Sequence, residues 1–343
     1  MPFVRVGVVG YGTIGKRVAD AILKQDDMVL EGIAEVSPSY ATLQALKKGI
    51  KVYVSKQENV KYFEELGVKV AGLLDDLLSK VDLVVDATPA GVGERNKPIY
   101  EKHGVKQVYE GGEKAHVAQV SFSSLCNYEE ALGKNSARVV SCNTTALLRL
   151  ICTLHKHFGV EKVHAVIIRR GADPKEVERG PINSVELDPP RTPSHHAHDV
   201  KSVLPWLDIY TAAVIVPTTL MHVHHVTLKL SRDVERRDVI EVLRESPRFI
   251  LIPATRVKIM GTAGIIEAAR EVRHRYDVPE LIVFEDSVSV SGREVNLFQA
   301  VHQESIVIPE NIDAIRALAG IEKSPEASIK KTDQSLGLTK SLW

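Results

Sequence analysis

Apolar residues come in short bursts along this chain, separated by segments whose apolar positions recur every three or four residues. VRVGVV at residues 4–9 is short enough for a strand and apolar enough to be covered on both faces, and VLEGIAEV, VDLVVDATP and KQVYEGG repeat the pattern. Between the first two lies GTIGKRVADAIL, whose apolar positions follow a helical period. Alternation of this kind predicts a parallel sheet with helices on both faces over the first 140 or so residues. The texture then changes. KVHAVIIRR, AAVIVP, HHVTLKL, LIVFEDSVSVSG and VNLFQAV read as strands with fewer helices between them, which predicts an α+β domain on a mixed or antiparallel sheet. In SPEASIKKTDQSLGL, Ser324 is placed to cap a terminal helix with Pro325 at its first position and Glu326 in its first turn. The predicted boundaries are 1–141, 142–302 and 303–343, the last being helices that return to the first domain.

Length agrees with this division, since 343 residues exceed one ordinary core. Lys plus Arg and Asp plus Glu balance at 44 each, so no global field recruits nucleic acid or an anionic membrane, and a small-molecule partner fits better. Three cysteines make no disulfide framework and suit a reducing compartment, so a cytoplasmic location is expected. No apolar run approaches the roughly 18 residues that span a bilayer, and the first strand starts too close to Met1 for a secretory leader.

Gly10-Tyr11-Gly12-Thr13-Ile14-Gly15 follows the first strand and opens a helix. Glycines there serve a tight turn, a close backbone approach to a pyrophosphate and helix–strand packing, while the helix N-terminus offers free N–H groups. The order strand, glycines, helix, strand makes a Rossmann dinucleotide-binding domain the reading, with Gly10, Gly12, Thr13, Ile14 and Gly15 as candidate cofactor contacts. Glu35 lies 20 residues beyond Gly15, at the end of the second strand. A carboxylate there accepts from the adenosine ribose hydroxyls and repels a 2′-phosphate, which favours NAD, with NADP open. The bland alternative is a solvated strand-end glutamate.

Cys142 sits in ARVVSCNTTALLRL, between a short strand and a helix predicted over 144–159, with apolar residues at 147, 148, 151 and 154 and Gly159 at its end. Unpaired N–H groups at a helix N-terminus stabilise a thiolate, and the Cys142 N–H with the Asn143 amide could bind an oxyanion. From these residues alone, a catalytic and a buried structural cysteine both stay open. Cys152 reads as core and Cys126 as core or a semi-exposed bystander.

GYGTIGKRVADAI, YEGGEKA, RVVSCNTT, IRRGADP, TPSHHAHDV, VPTTLMHVH and VHQESIVIPENIDAIRAL together resemble archaeal-type phosphorylating glyceraldehyde-3-phosphate dehydrogenase, in family order over nearly the whole chain. Ala146, where other branches carry a second cysteine, matches the archaeal branch. The resemblance implies Cys142 as nucleophile toward glyceraldehyde 3-phosphate, NAD(P) reduction, and cleavage of the thioester by inorganic phosphate. It makes His222 the base. His224 shares that face of a strand and is the rival, while His225 points away. Arg169 and Arg170 face opposite sides, with Arg170 the cofactor-side contact by the family pattern. His195 and His196 are implied as substrate-phosphate contacts beside Ser141 and Asn143, and Gly111 and Gln303 as further cofactor contacts. No metal is expected, because the adjacent histidines 195, 196 and 198 with Asp199 lack a scaffold to converge. A homotetramer is implied as well. Where the family commonly carries a basic or neutral residue in a stretch like TKT, this chain has Glu35 in IAEVSPS. The alternatives are a semialdehyde or acyl-phosphate reductase with the same cysteine–histidine plan, and a nucleotide- or RNA-binding scaffold without turnover.

Overall fold

The computed structural model describes residues 3–110, 112–173 and 180–343. The chain divides into two units, Met1–Ser141 with Ile308–Leu336, and Cys142–Val307 with Gly337–Trp343.

The first unit is built on eight strands: β1 (Val4–Val9), β2 (Met28–Glu35), β3 (Val52–Val54), β4 (Val70–Leu73), β5 (Leu83–Asp86), β6 (Lys106–Tyr109), β7 (Val120–Phe122) and β8 (Ser136–Val139). Their order is β4-β3-β2-β1-β5-β6-β8-β7, and every pairing is parallel. The order reverses at β1, which lies between β2 and β5, so the loop after β1 opens at the switch point where such sheets bind ligands. Helix Gly15–Ile22 begins three residues later than the sequence pattern predicts, because Gly10 adopts a left-handed φ of 86° and the chain needs residues 10–14 to turn. Helices Ile308–Ala319 and Pro325–Leu336 complete the unit, and the Ser324 hydroxyl accepts the Ala327 N–H at 3.2 Å, which bears out the predicted cap. Fully buried Arg316 donates to Asp27 at 2.8 Å and to Gln25 at 2.6 Å, tying the first of these helices to the approach to β2.

The second unit holds β9 (Val160–Arg170), β10 (Glu186–Leu187), β11 (Asp208–Val216), β12 (His222–Leu230), β13 (Phe249–Ile252), β14 (Leu281–Phe284), β15 (Ser289–Ser291) and β16 (Glu294–Val301). The order is β10-β11-β9-β12-β16-β14-β13, with β15 added on β16. β9 runs parallel to β11 and antiparallel to β12, so the sheet is mixed. Helix Cys142–Phe158 starts at the cysteine itself, two residues before the predicted start. Asn143 and Thr144 give their polar groups to side chains elsewhere, Thr144 to Asp199 at 2.6 Å, so they do not compete with the first turn. The tail divides differently from the sequence reading: the return to the first unit starts at Ile308, and the last seven residues belong to the second. Leu342 is buried in that unit's apolar cluster, and the Thr339 N–H donates to Glu280 at 2.7 Å, which holds the end there.

Candidate active site

The three glycines of the Gly10–Gly15 loop meet different surroundings. A Cβ on Gly15 would lie 1.8 Å from the Gly10 carbonyl oxygen, so the helix can start against the turn only without a side chain. A Cβ on Gly12 would meet nothing within 4 Å; that space is left open. Arg17 braces the loop by donating to the Thr13 carbonyl at 2.8 Å. Among the described backbone bonds, the N–H groups of Gly12, Thr13 and Ile14 have no acceptor. Glu35, at the end of β2, accepts the Tyr11 N–H on one oxygen and the Val36 N–H on the other at 3.2 Å, so its carboxylate is fixed beside the loop. Gly111 lies outside the described residues.

Cys142 is the free cysteine, half-buried at the first position of its helix. Cys126 and Cys152 are disulfide-bonded, contrary to the reading of them as core or bystander thiols, and cysteine usage therefore no longer argues for a compartment. The sulfur of Cys142 acts on the Arg169 guanidinium: burial pulls the Arg169 pKa down, and a Cys142 thiolate opposes that pull. Arg169 also pairs with Asp188, and Arg170 with Asp173. The Nε of each arginine is buried without a hydrogen-bond acceptor.

β12 brings two buried histidines to one face. His222 Nδ1 accepts the Arg170 backbone N–H at 3.0 Å. Its pKa lies well below the ordinary 6.5, first from burial and then from Arg170, His224, Arg169 and His196. His224 is bonded at both nitrogens, to Gln299 Nε2 at 3.0 Å and to Asn143 Oδ1 at 2.9 Å, and burial pushes its pKa down to about 3. Asn143 Nδ2 is 3.3 Å from His196 Nε2, and His196 Nδ1 is 3.1 Å from the Ser194 hydroxyl. Burial first, then His195, Arg169 and His224, hold His196 at about 2, so this ring is neutral. His195 is exposed, with its ring centroid 3.9 Å from that of His196.

The structure thus joins Asn143, His196 and His224, and it sets His222 against Arg170. Gln299 is the participant that sequence reasoning missed. It stands directly opposite His224 in the β12–β16 pairing, 75 residues away in sequence, and no local pattern marks it. Gln303 is buried with its Oε1 lacking a donor. Ser141 is half-buried beside the cysteine. Among the described residues, the set close enough to share a cation is Asp277, His302 and Glu304, with atoms within 4.8 Å, and not the loop at 195–199. His302 Nδ1 already accepts the Val278 N–H at 3.2 Å, and all three residues have other partners.

A parallel nucleotide-binding sheet and a helix led by a free cysteine over a mixed sheet define a two-unit, dinucleotide-dependent oxidoreductase. Residues 141–284 match the family described as Glyceraldehyde 3-phosphate dehydrogenase, C-terminal domain, and residues 4–120 match Dihydrodipicolinate reductase, N-terminus. Proteins named glyceraldehyde-3-phosphate dehydrogenase from Aeropyrum pernix (60% identical over 343 residues, all of both chains), Hyperthermus butylicus (55% over 341 residues, 99% of each) and Saccharolobus islandicus (56% over 338 residues, 98% of each) are similar throughout. The chain belongs to the glyceraldehyde-3-phosphate dehydrogenase family. No helix among the described residues is long and apolar enough to cross a membrane.

Proposed function

We propose that this enzyme oxidises glyceraldehyde 3-phosphate and transfers the acyl group to inorganic phosphate, giving 1,3-bisphosphoglycerate, with Cys142 as nucleophile and His222 as the ring that serves the substrate oxygen. The observation that carries this reading is a free, half-buried cysteine at a helix start whose next residue, Asn143, is bonded to the β12 histidine His224. Residues fit a nicotinamide dinucleotide: the open space at Gly12 takes the pyrophosphate, the N–H groups of Gly12, Thr13 and Ile14 bind it, and Glu35 takes the ribose hydroxyls. Bound there, the dinucleotide supplies the acceptor for the hydride that leaves the substrate carbon.

The Cys142 thiolate adds to the aldehyde carbon, a C–S bond forms, and the carbonyl π pair moves to oxygen. A base needs a free lone pair, but the Nδ1 pair of His222 is occupied by the Arg170 N–H, so the neutral ring carries its proton on Nε2. We therefore read His222 as a donor that stabilises the alkoxide. With the proton already gone from sulfur and the oxygen already negative, oxidation to the thioester needs no further deprotonation. Phosphate oxygen then adds to the thioester carbon and sulfur leaves as thiolate. Arg169 supports the sulfur's charge, and exposed His195 is available to the anionic groups, whereas Arg170 is half-buried and paired with Asp173. Gln303 Oε1 would accept an amide N–H such as that of a carboxamide.

Glu35, fixed by two backbone N–H groups, favours NAD over NADP. The family reading also carries a homotetramer, tested by mass in solution, and a cytoplasmic location. The deciding experiment follows NAD and NADP reduction with glyceraldehyde 3-phosphate, with and without phosphate, on wild type and Cys142→Ser. Loss of activity in Cys142→Ser and dependence on phosphate are expected. A tenfold preference for NADP, about 1.4 kcal/mol, would remove the Glu35 argument but leave the family intact.

A further inference from the structure

We propose that His224 and Gln299 are positioning residues whose hydrogen bonds fix the Asn143 amide beside Cys142, so that one Asn143 N–H stays directed for use as an oxyanion donor. This rests on the reading of Cys142 as nucleophile. It assigns to His224 a role other than that of a rival base.

The donors and acceptors are arranged in one direction. The Gln299 amide nitrogen lies 3.0 Å from His224 Nδ1, so Nδ1 accepts and the neutral ring bears its proton on Nε2. That Nε2–H donates to Asn143 Oδ1 at 2.9 Å. With its oxygen held, the Asn143 amide sends one N–H to His196 Nε2 at 3.3 Å. His196 therefore carries its proton on Nδ1 and donates it to the Ser194 hydroxyl at 3.1 Å, whose own proton passes to Thr211 at 2.7 Å. Thr211 closes the chain on the Ser194 carbonyl at 3.2 Å. Each side chain after Gln299 has one bond that sets its orientation and another that passes the constraint on, while Gln299 itself has the Nε2 bond to His224 and a buried Oε1 without a donor. The second hydrogen on Asn143 Nδ2 is left over.

Six side chains from five elements are thereby joined, and all are buried: Gln299 on β16, His224 on β12, Asn143 on the cysteine helix, His196 and the preceding Ser194 at helix His195–Lys201, and Thr211 on β11. Gln299 Oε1 is buried without a donor, so the asparagine is held by its own two bonds, to His224 and His196; without them its amide can rotate by half a turn and present oxygen where a donor is needed. An acceptor turned toward a developing oxyanion repels it. The bracing is thus worth more in the transition state than in the free enzyme.

The test uses the full-length enzyme and three variants, His224→Leu, His224→Gln and Gln299→Leu. Glutamine can place an amide N–H close to the position of imidazole Nε2 and so keep the bond to Asn143. His224→Leu is expected to lower kcat roughly 100-fold, the scale for a misplaced or missing oxyanion donor, with KM changed less than about threefold. The rate of Cys142 alkylation by iodoacetamide should be unchanged, and His224→Gln should recover at least about tenfold over leucine. Nitrogen-15 NMR of histidine-labelled wild type should find an Nε2–H tautomer at His224 and an Nδ1–H tautomer at His196, with neither titrating over about pH 5 to 8. Equal loss in His224→Gln and His224→Leu, reversed tautomers, or a pH–rate limb that only the His224 variants abolish would overturn the proposal. If leucine at 224 does not fold, Gln299→Leu must still alter the His224 tautomer and lower kcat. A wild type without dehydrogenase activity would sink the functional reading, while the NMR result would decide separately on the hydrogen-bond chain.

Discussion

The backbone N–H of Arg170 donates to Nδ1 of His222 across 3.0 Å, which places the proton of the neutral ring on Nε2. Burial and the two neighbouring arginines hold that ring neutral well below the ordinary histidine range. Because the pKa is lowered, the charged form appears only at pH values far below 6.5, and no His222 ionisation falls in the working range. The pH profile of the first-turnover rate should therefore show no limb assignable to His222 between about pH 5 and 8. His222→Gln, which keeps an N–H donor, should retain at least about tenfold more activity than His222→Leu. Stopped-flow measurement of cofactor reduction on both variants checks this, and a rate that follows a single ionisation near pH 6.5, abolished in His222→Gln, would restore the ring as a base.

Arg169 is the cation that senses the Cys142 sulfur, and burial makes its own charge unfavourable unless an anion is close. Replacing it by leucine should raise the thiol pKa by about one unit and slow alkylation at neutral pH by up to about tenfold. His222→Leu should leave the alkylation profile in place. Iodoacetamide rates measured against pH separate the two, and a thiol that shifts with His222 but not with Arg169 would mean that an imidazolium holds the thiolate.

The parts of this molecule that could be read from sequence are those encoded locally. The Gly10–Gly15 loop and Glu35 lie within one strand–helix–strand unit, and a helix just behind Cys142 follows from the apolar period there, although it starts two residues earlier than that period predicts. What could not be read depends on pairings between distant residues. Gln299 meets His224 only because β12 and β16 align in that register, and a shift by one residue would turn the glutamine to the other face. Arg316 looks like an ordinary helix charge until Asp27 and Gln25, 289 and 291 residues away, surround it. The helix pattern of the tail holds for Pro325–Leu336, but the last residues return to the second unit through buried Leu342 and the Thr339–Glu280 bond, which no periodicity announces. The disulfide state of Cys126 and Cys152 was likewise hidden, because an odd cysteine count does not show which thiols meet.

Gly12 and Gly15 separate folding from binding. Gly15→Ala drives a methyl into the Gly10 carbonyl, so the loop must open and the helix start must shift; a destabilised unit and no dinucleotide binding are expected. Gly12→Ala meets no protein atom, so its melting temperature should match wild type within about 2 °C. The methyl fills space that the pyrophosphate would occupy, and the dinucleotide Kd should rise at least about tenfold. Calorimetric titration with NAD and thermal melts on both variants test the pair. Wild-type affinity in Gly12→Ala would mean that the open space at this glycine is not where phosphate sits.

The Arg316–Asp27 pair ties helix Ile308–Ala319 to the approach to β2 and sets an acid limit on the first unit. Burial pushes the Asp27 pKa up, but hydrogen bonds and charge from Arg316 and Lys331 outweigh it, and the folded-state value ends below the usual 3.8. A depressed carboxylate contributes stability above its unfolded pKa and loses it as pH falls through the folded value. Asp27→Asn should therefore be less stable than wild type at pH 7, with the difference narrowing below about pH 4. Arg316→Ala removes one partner and strands a buried carboxylate, which should cost about 3–5 kcal/mol at neutral pH. Arg316→Met combined with Asp27→Leu replaces both charges with apolar volume and should recover much of that loss, since pairing offsets desolvation more than it adds net stability. Urea unfolding of the four proteins at pH 7 and pH 3 measures each term; equal stability of Arg316→Ala and wild type at pH 7 would show that Gln25, Thr332 and Lys331 hold this corner without the guanidinium.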